Sequence, residues 1–165
     1  METMMTEAAT LAAVTMREAR RDDTPRIAAL IMLGAAKQTR SDDEIAQEAA
    51  HPSYLDAFDE VAASPLNTLF VAELDGKVVG TLQVTLIPGL ISRGRKRAKL
   101  ESVHVDPALR GRRIGEAMVA HAVDFARQNG AGLVELTSNK SREAAHRFYR
   151  RLGFDQSHEG FKLEL

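Results

Sequence analysis

The spacing of apolar residues divides the chain into stretches of different period. In the first, Ile27, Leu30, Ile31 and Leu33 recur at helical intervals behind the start signal Asp23-Thr24-Pro25. Asp23 or Thr24 can accept the first free backbone N–H groups, and Pro25 loses nothing at a position whose N–H has no helical partner. A short extended run, residues 14–19, precedes this helix across the charged turn Arg20-Arg21-Asp22-Asp23. Ser41-Asp42-Asp43-Glu44 is a second start signal. Ile45, Ala49, Tyr54, Leu55, Phe58 and Val61 continue a helical pattern that His51-Pro52 interrupts and Ser64-Pro65 ends.

From Thr68 the pattern becomes that of strands. Residues 69–74 and 77–86 read as two strands joined by Asp75-Gly76, a pair that accepts the positive φ angles of a type I′ hairpin turn. Pro88-Gly89 closes the second strand, the basic loop Arg93-Gly94-Arg95-Lys96-Arg97 follows, and residues 99–105 form the next strand up to Asp106-Pro107. Ile114, Met118, His121, Ala122 and Phe125 then mark a helix that Asn129-Gly130 caps. Residues 133–137 predict a strand, 141–151 a helix with a capping-box look at its start, and 161–165 a last strand. The order βααβββαβαβ predicts an α/β (α+β) single domain with a central mixed, mostly antiparallel sheet and about four helices.

Length and composition narrow the class. A chain of 165 residues, 44% hydrophobic and 27% charged, is long enough for one domain with its own core. We expect a flexible tail over residues 1–11 and the domain over 12–165. The absence of cysteine excludes thiolate catalysis, Cys-ligated zinc and disulfides, and fits a reducing cytoplasm. With 22 basic and 23 acidic residues the net charge is −1, which argues against a surface built to grip nucleic acid or anionic lipid. The N-terminus lacks the pattern of a secretory signal, and no stretch approaches the roughly 20 apolar residues of a membrane span.

Chemistry concentrates in residues 103–117, where a strand ends, an Arg- and Gly-rich loop follows, and a helix begins. The unpaired N–H groups and positive dipole end of that helix suit an anion, and Gly111 and Gly115 let the backbone approach it. A pyrophosphate is the natural ligand. The loop is neither a Walker A loop nor the three-glycine dinucleotide fingerprint. A solvated Arg turn capping an amphipathic helix is the plainer alternative.

Leu100-Glu101-Ser102-Val103-His104-Val105, followed by Arg110-x-x-Arg113-x-Gly115, resembles motif A of the GNAT superfamily of acetyl-CoA-dependent N-acetyltransferases. Arg113 stands where that motif has its first glycine. Residues 138–154, from Ser138-Asn139 through Phe148-Tyr149 to Gly153-Phe154, are similar to the family's C-terminal motif. The ending Gln156-Ser157-His158-Glu159-Gly160-Phe161-Lys162 resembles the small-amine branch that includes the aminoalkylphosphonate N-acetyltransferases.

The resemblance, which covers nearly the whole chain, implies acetyl-CoA as co-substrate and a small-molecule amine as acceptor. It implies a cofactor-binding set of Val103, Val105, Arg110, Gly111, Arg112, Arg113, Ile114, Gly115, Glu116 and Asn139. Tyr149 becomes the candidate acid for the leaving thiolate, Glu101 the candidate base, and the Val105 N–H the candidate oxyanion donor. Glu101 could instead attract the cationic amine, and Asn139 equally suits capping of the helix behind it. Strict alternation turns His104 away from Val103 and Val105, and its expected role is structural, with a role near the substrate as the alternative. Tyr54, Asp56, Phe58 and Asp59 lie in the region where the family builds its acceptor pocket. No His pair has metal-ligand spacing, so no catalytic metal is expected. A homodimer is expected, with neither nucleic acid nor membrane as partner. A non-catalytic CoA-binding sensor on the same fold is the alternative from another class.

Overall fold

Asp75 and Gly76 adopt φ of 50° and 74°, and this left-handed pair folds β2 (Asn67–Leu74) back onto β3 (Lys77–Ile87). The computed structural model describes residues 14–35 and 37–165, so the tail expected over 1–11 lies outside the described residues. Around the hairpin the chain adds β1 (Val14–Glu18), α1 (Thr24–Leu33), α2 (Asp42–Ala49) and α3 (Pro52–Ala63) on one side. On the other it adds β4 (Lys96–Val105), α4 (Ile114–Gln128), β5 (Ala131–Leu136) and α5 (Glu143–Arg151).

The sheet order is β1-β2-β3-β4-β5; the first three pairings are antiparallel and β4 runs parallel to β5. On one face Leu82, Val84, Leu86, Ala98 and Leu100 pack against Ile114, Met118, Val119, Ala122 and Ala126 of α4. These side chains form the main core, and each one removed from water contributes about 1.5–3 kcal/mol if it is of Val, Leu or Met size. The opposite face carries α1, which packs on α2 through Ala28, Met32, Ile45 and Ala49.

Several elements differ from their expected bounds. The interruption at His51-Pro52 is a complete break: the His51 ring accepts the Ser53 N–H at 3.2 Å and Pro52 starts a new helix. Among the described residues, five helices of two or more turns therefore flank the sheet. Before the break, Ser41 and Glu44 cap α2 reciprocally at 3.3 and 2.7 Å. β4 starts at Lys96, inside the basic loop, because the backbone of Lys96 and Arg97 pairs with Ala131 and Leu133 of β5 and with Ile87 of β3; Arg97 also bridges to Glu135 at 2.9 Å. α5 starts at Glu143 and its N-cap residue Arg142 makes no side-chain cap; the capping box expected at Ser141 is absent. The strand expected over 161–165 is also absent, and Phe161 is 94% exposed. The alternation of Phe161, Leu163 and Leu165 suits a strand, but this segment pairs with no strand among the described residues.

Candidate active site

The site is built by a parting of two strands. β4 and β5 are in register from Lys96–Ala131 to Leu100–Leu136, and beyond that point β4 continues to Val105 without β5. A cleft of about 130 Å³ opens in the gap. Glu101, Val103 and His104 line it from β4, Thr137 and Asn139 from the loop after β5, and Arg142 and Tyr149 from the last helix and its cap.

A β-bulge decides what faces the acceptor side. Gln83 opposes Glu101 and Thr81 opposes His104, so Leu82 alone faces both Ser102 and Val103. Ser102 carries the strain, with φ of 51°. Cross-strand partners share a face, so the extra residue brings Glu101 and His104 to the same side as Thr81, Gln83 and Thr85. Strict alternation had turned them to opposite sides. Nothing in the polarity of residues 100–105 announces the bulge, which is why a structural role was expected for His104 ahead of one near the substrate.

The backbone at the end of β4 also points into the gap. The Asp106 N–H donates to the Val79 carbonyl at 2.8 Å, and Gly80 is the partner of Val105. In an antiparallel ladder the intervening residue then directs its N–H and C=O away from β3, towards the side β5 has left.

Next comes the Arg-Gly loop. Asp106 holds its start, accepting from the Ala108 N–H at 2.9 Å and from Arg26 at 2.5 Å. Gly111 has φ of 80° and Arg113, the N-cap of α4, has φ of 60°. The position that departs from the family's glycine thus keeps the left-handed conformation that glycine would favour. The first helical bond runs from Ala117 to Arg113 at 3.1 Å, leaving the amides of Ile114, Gly115 and Glu116 without helical acceptors, and no side chain caps them. Arg113 folds back to Glu116 at 2.8 Å. Arg110 and Arg112 have no ion-pair partner among the described residues. Free amides, a helix dipole and two unpaired guanidiniums fit a pyrophosphate. A side chain at Gly115 would meet Phe148 at 3.4 Å, so that glycine also lets α4 lie close to α5.

The remaining groups have defined surroundings. Tyr149 stands edge-on to Phe148 and Phe154, with centroids 5.1 and 5.7 Å away. Burial raises its phenol above the ordinary value of 10.0, against an opposing pull from Arg142, so it stays protonated at neutral pH. Asn139 accepts the Ser141 N–H and hydroxyl at 2.9 and 2.8 Å, capping the turn into α5 and leaving its amide nitrogen unpartnered among the described residues. Glu101 pairs with Lys99 at 3.1 Å, its side chain 43% exposed. Arg142 was missed in the sequence, being one arginine among many in a basic helix start.

Other expected residues lie elsewhere. Asp59 pairs with Arg21 at 2.9 Å, and Phe58 lines a separate depression between α3 and β2. Neither reaches the cleft, and Tyr54 packs with the α1–α2 cluster. His158 contacts Ser157 at 2.7 Å on the exposed C-terminal segment. No group of three or more His, Asp or Glu residues able to hold a metal occurs among the described residues.

The free amides and guanidiniums at the start of α4 suit a phosphate-bearing ligand, and the cleft holds a protonated phenol. The chain belongs to the Acetyltransferase (GNAT) family, whose model matches residues 32–154. It is therefore an acetyltransferase, and acetyl-CoA is its acetyl donor. It is 32% identical to the aminoalkylphosphonate N-acetyltransferase of Salmonella typhimurium over 91% of this chain and 90% of that one. Among solved structures, a transcriptional regulator from Bacillus halodurans is 36% identical with a TM-score of 0.81, over 92% of this chain and 99% of that one. An acetyltransferase from Clostridium acetobutylicum, solved with acetyl-CoA, shares the fold at a TM-score of 0.69 and 18% identity, over 92% of this chain and 97% of that one.

Proposed function

We propose that this acetyltransferase acts on the primary amine of a small molecule, which attacks the thioester directly while both substrates are bound. The parting of β4 from β5, with an anion cradle beside it and Tyr149 inside it, is the observation that carries this reading. Arg110, Gly111, Arg112 and the amides of Arg113, Ile114, Gly115 and Glu116 hold the pyrophosphate. Val103 and Asn139 flank the pantetheine arm. The Val105 N–H stabilises the carbonyl oxygen as the amine adds and charge develops. The C–S bond then breaks, and the Tyr149 hydroxyl gives its proton to the sulfur. Glu101, on the acceptor side, attracts the cationic amine.

A chain without cysteine cannot form an acetyl-thiol enzyme. The similarity to an aminoalkylphosphonate N-acetyltransferase supports a small acceptor bearing an anionic group. No helix among the described residues is long and apolar enough to cross a membrane. A chain without disulfides fits a reducing cytoplasm, where we place the protein. Exposed Phe161, Leu163 and Leu165 support a homodimer, and a monomer by light scattering contradicts it.

Thermal melting with saturating acetyl-CoA tests the cradle. Ligand at about 100 times its Kd adds about 2.7 kcal/mol, which for a domain of this size raises Tm by about 5–10 °C. No shift removes the pyrophosphate role of residues 110–116.

A further inference from the structure

We propose that His104, and not Glu101, takes the proton from the acceptor amine. The inference rests on the acetyl-transfer reading and deepens it. Three observations carry it.

The bulge at Ser102 sets His104 on the acceptor face and in the wall of the same cleft as Tyr149. The ring is then fixed from behind. Gly34, just past α1, lies so close that a Cβ there would stand 1.9 Å from Nδ1. Its φ of −85° is one any residue adopts, so glycine is needed here for space and not for conformation. Gly34 thus sets the position of the ring in the wall of the cleft.

The ring is also available. Neither nitrogen has a hydrogen-bond partner among the described residues, yet no buried side-chain nitrogen or oxygen there is left unsatisfied. The imidazole therefore opens on the cleft and is not sealed in the core. Glu101, by contrast, is already engaged by Lys99 at 3.1 Å.

The charged and titratable groups around the ring are Glu101 on its own strand, Arg110 from the loop after β4, and Arg142 and Tyr149 from the last helix and its cap. Gly34 and Thr81, its neighbours on α1 and β3, add no charge. Burial, then Arg142 and Arg110, lower the imidazole from 6.5 to about 4, so its lone pair is free at neutral pH. A polyanionic donor offsets the two arginines and strengthens the base when the thioester is in place. One proton passes from R–NH3+ to imidazole and on to solvent, and the amine lone pair forms the C–N bond as the carbonyl π pair moves onto oxygen. The C–S pair then leaves on sulfur, which takes the Tyr149 proton as CoA thiol, and the second proton on nitrogen, shed as the amide forms, restores the phenol.

Thiol release from acetyl-CoA, with aminomethylphosphonate as acceptor, is measured against pH for the wild type, His104→Gln and Glu101→Gln. His104→Gln lowers kcat by about 100-fold or more with acetyl-CoA Kd unchanged. Its rate climbs with pH, because only amine already deprotonated in solution can attack. Imidazole added to His104→Ala restores part of the rate, which a merely structural histidine would not allow. Glu101→Gln raises KM and keeps the acidic limb. Should His104→Gln fail to fold, His104→Asn carries the same expectations. Wild-type kcat and limb in the His104 variants, with the limb lost in Glu101→Gln, hand the proton to Glu101 and overturn the proposal. No turnover by the wild type with any amine of a panel, despite acetyl-CoA binding, overturns the acetyl-transfer reading and the His104 role together.

Discussion

His104 is a residue whose burial has a consequence for stability as well as for chemistry. Its imidazole stands at about 4 in the fold against 6.5 unfolded, so between those values the unfolded chain binds more protons than the native one. The folded-state value is depressed, so the contribution is fully present above pH 6.5 and is lost as pH falls towards about 4. Melting curves from neutral pH down to pH 4 should therefore show Tm falling more steeply in the wild type than in His104→Gln. Parallel slopes would mean the ring is not held neutral. Tyr149 shifts in the opposite direction from the same cause: burial disfavours whichever form carries charge, imidazolium in one case and phenolate in the other.

Among elements, the loop between β4 and α4 shows how sequence and structure divide the information. The Arg- and Gly-rich residues 110–115 marked a tight loop before a helix, and Asp75-Gly76 marked the hairpin, because both signals are local and belong to the residues that adopt the conformation. The bulge at Ser102 and the early start of β4 were not legible. Each depends on a partner strand: the two-against-one pairing with Leu82, and the backbone pairing of Lys96 and Arg97 with β5. The missing strand over 161–165 is the converse, a good local pattern that forms no pairing among the described residues.

Arg113 carries a testable strain. A left-handed φ of 60° costs a non-glycine residue about 1–2 kcal/mol, whereas its exposed pair with Glu116 returns about 0.3–0.5 kcal/mol. Arg113→Gly should leave Tm unchanged or raise it by a few degrees, with acetyl-CoA Kd unchanged. A lower Tm would refute the strain, and a Kd more than about tenfold weaker, or 1.4 kcal/mol, would show that the guanidinium itself grips the donor.

At the scale of the whole molecule, near-neutrality and local charge are reconciled by where the charges sit. The net charge is −1, yet Arg110 and Arg112 lie in the loop that starts α4 and Arg142 lines the cleft, so a local basic patch exists without bulk positive charge. The core on α4 holds one side of the sheet rigid while α1 crosses the other, and β4, between them, presents its acceptor-side residues to the cleft. Because the chain has no cysteine, thiol appearing in a reaction mixture can come only from CoA. Release of free thiol from acetyl-CoA, with and without a panel of small primary amines, is thus the most direct measurement of what the protein does. The account predicts release that requires an amine and saturates with it, matched by one N-acetylated product per thiol. Binding of acetyl-CoA with no amine-dependent thiol release would contradict it.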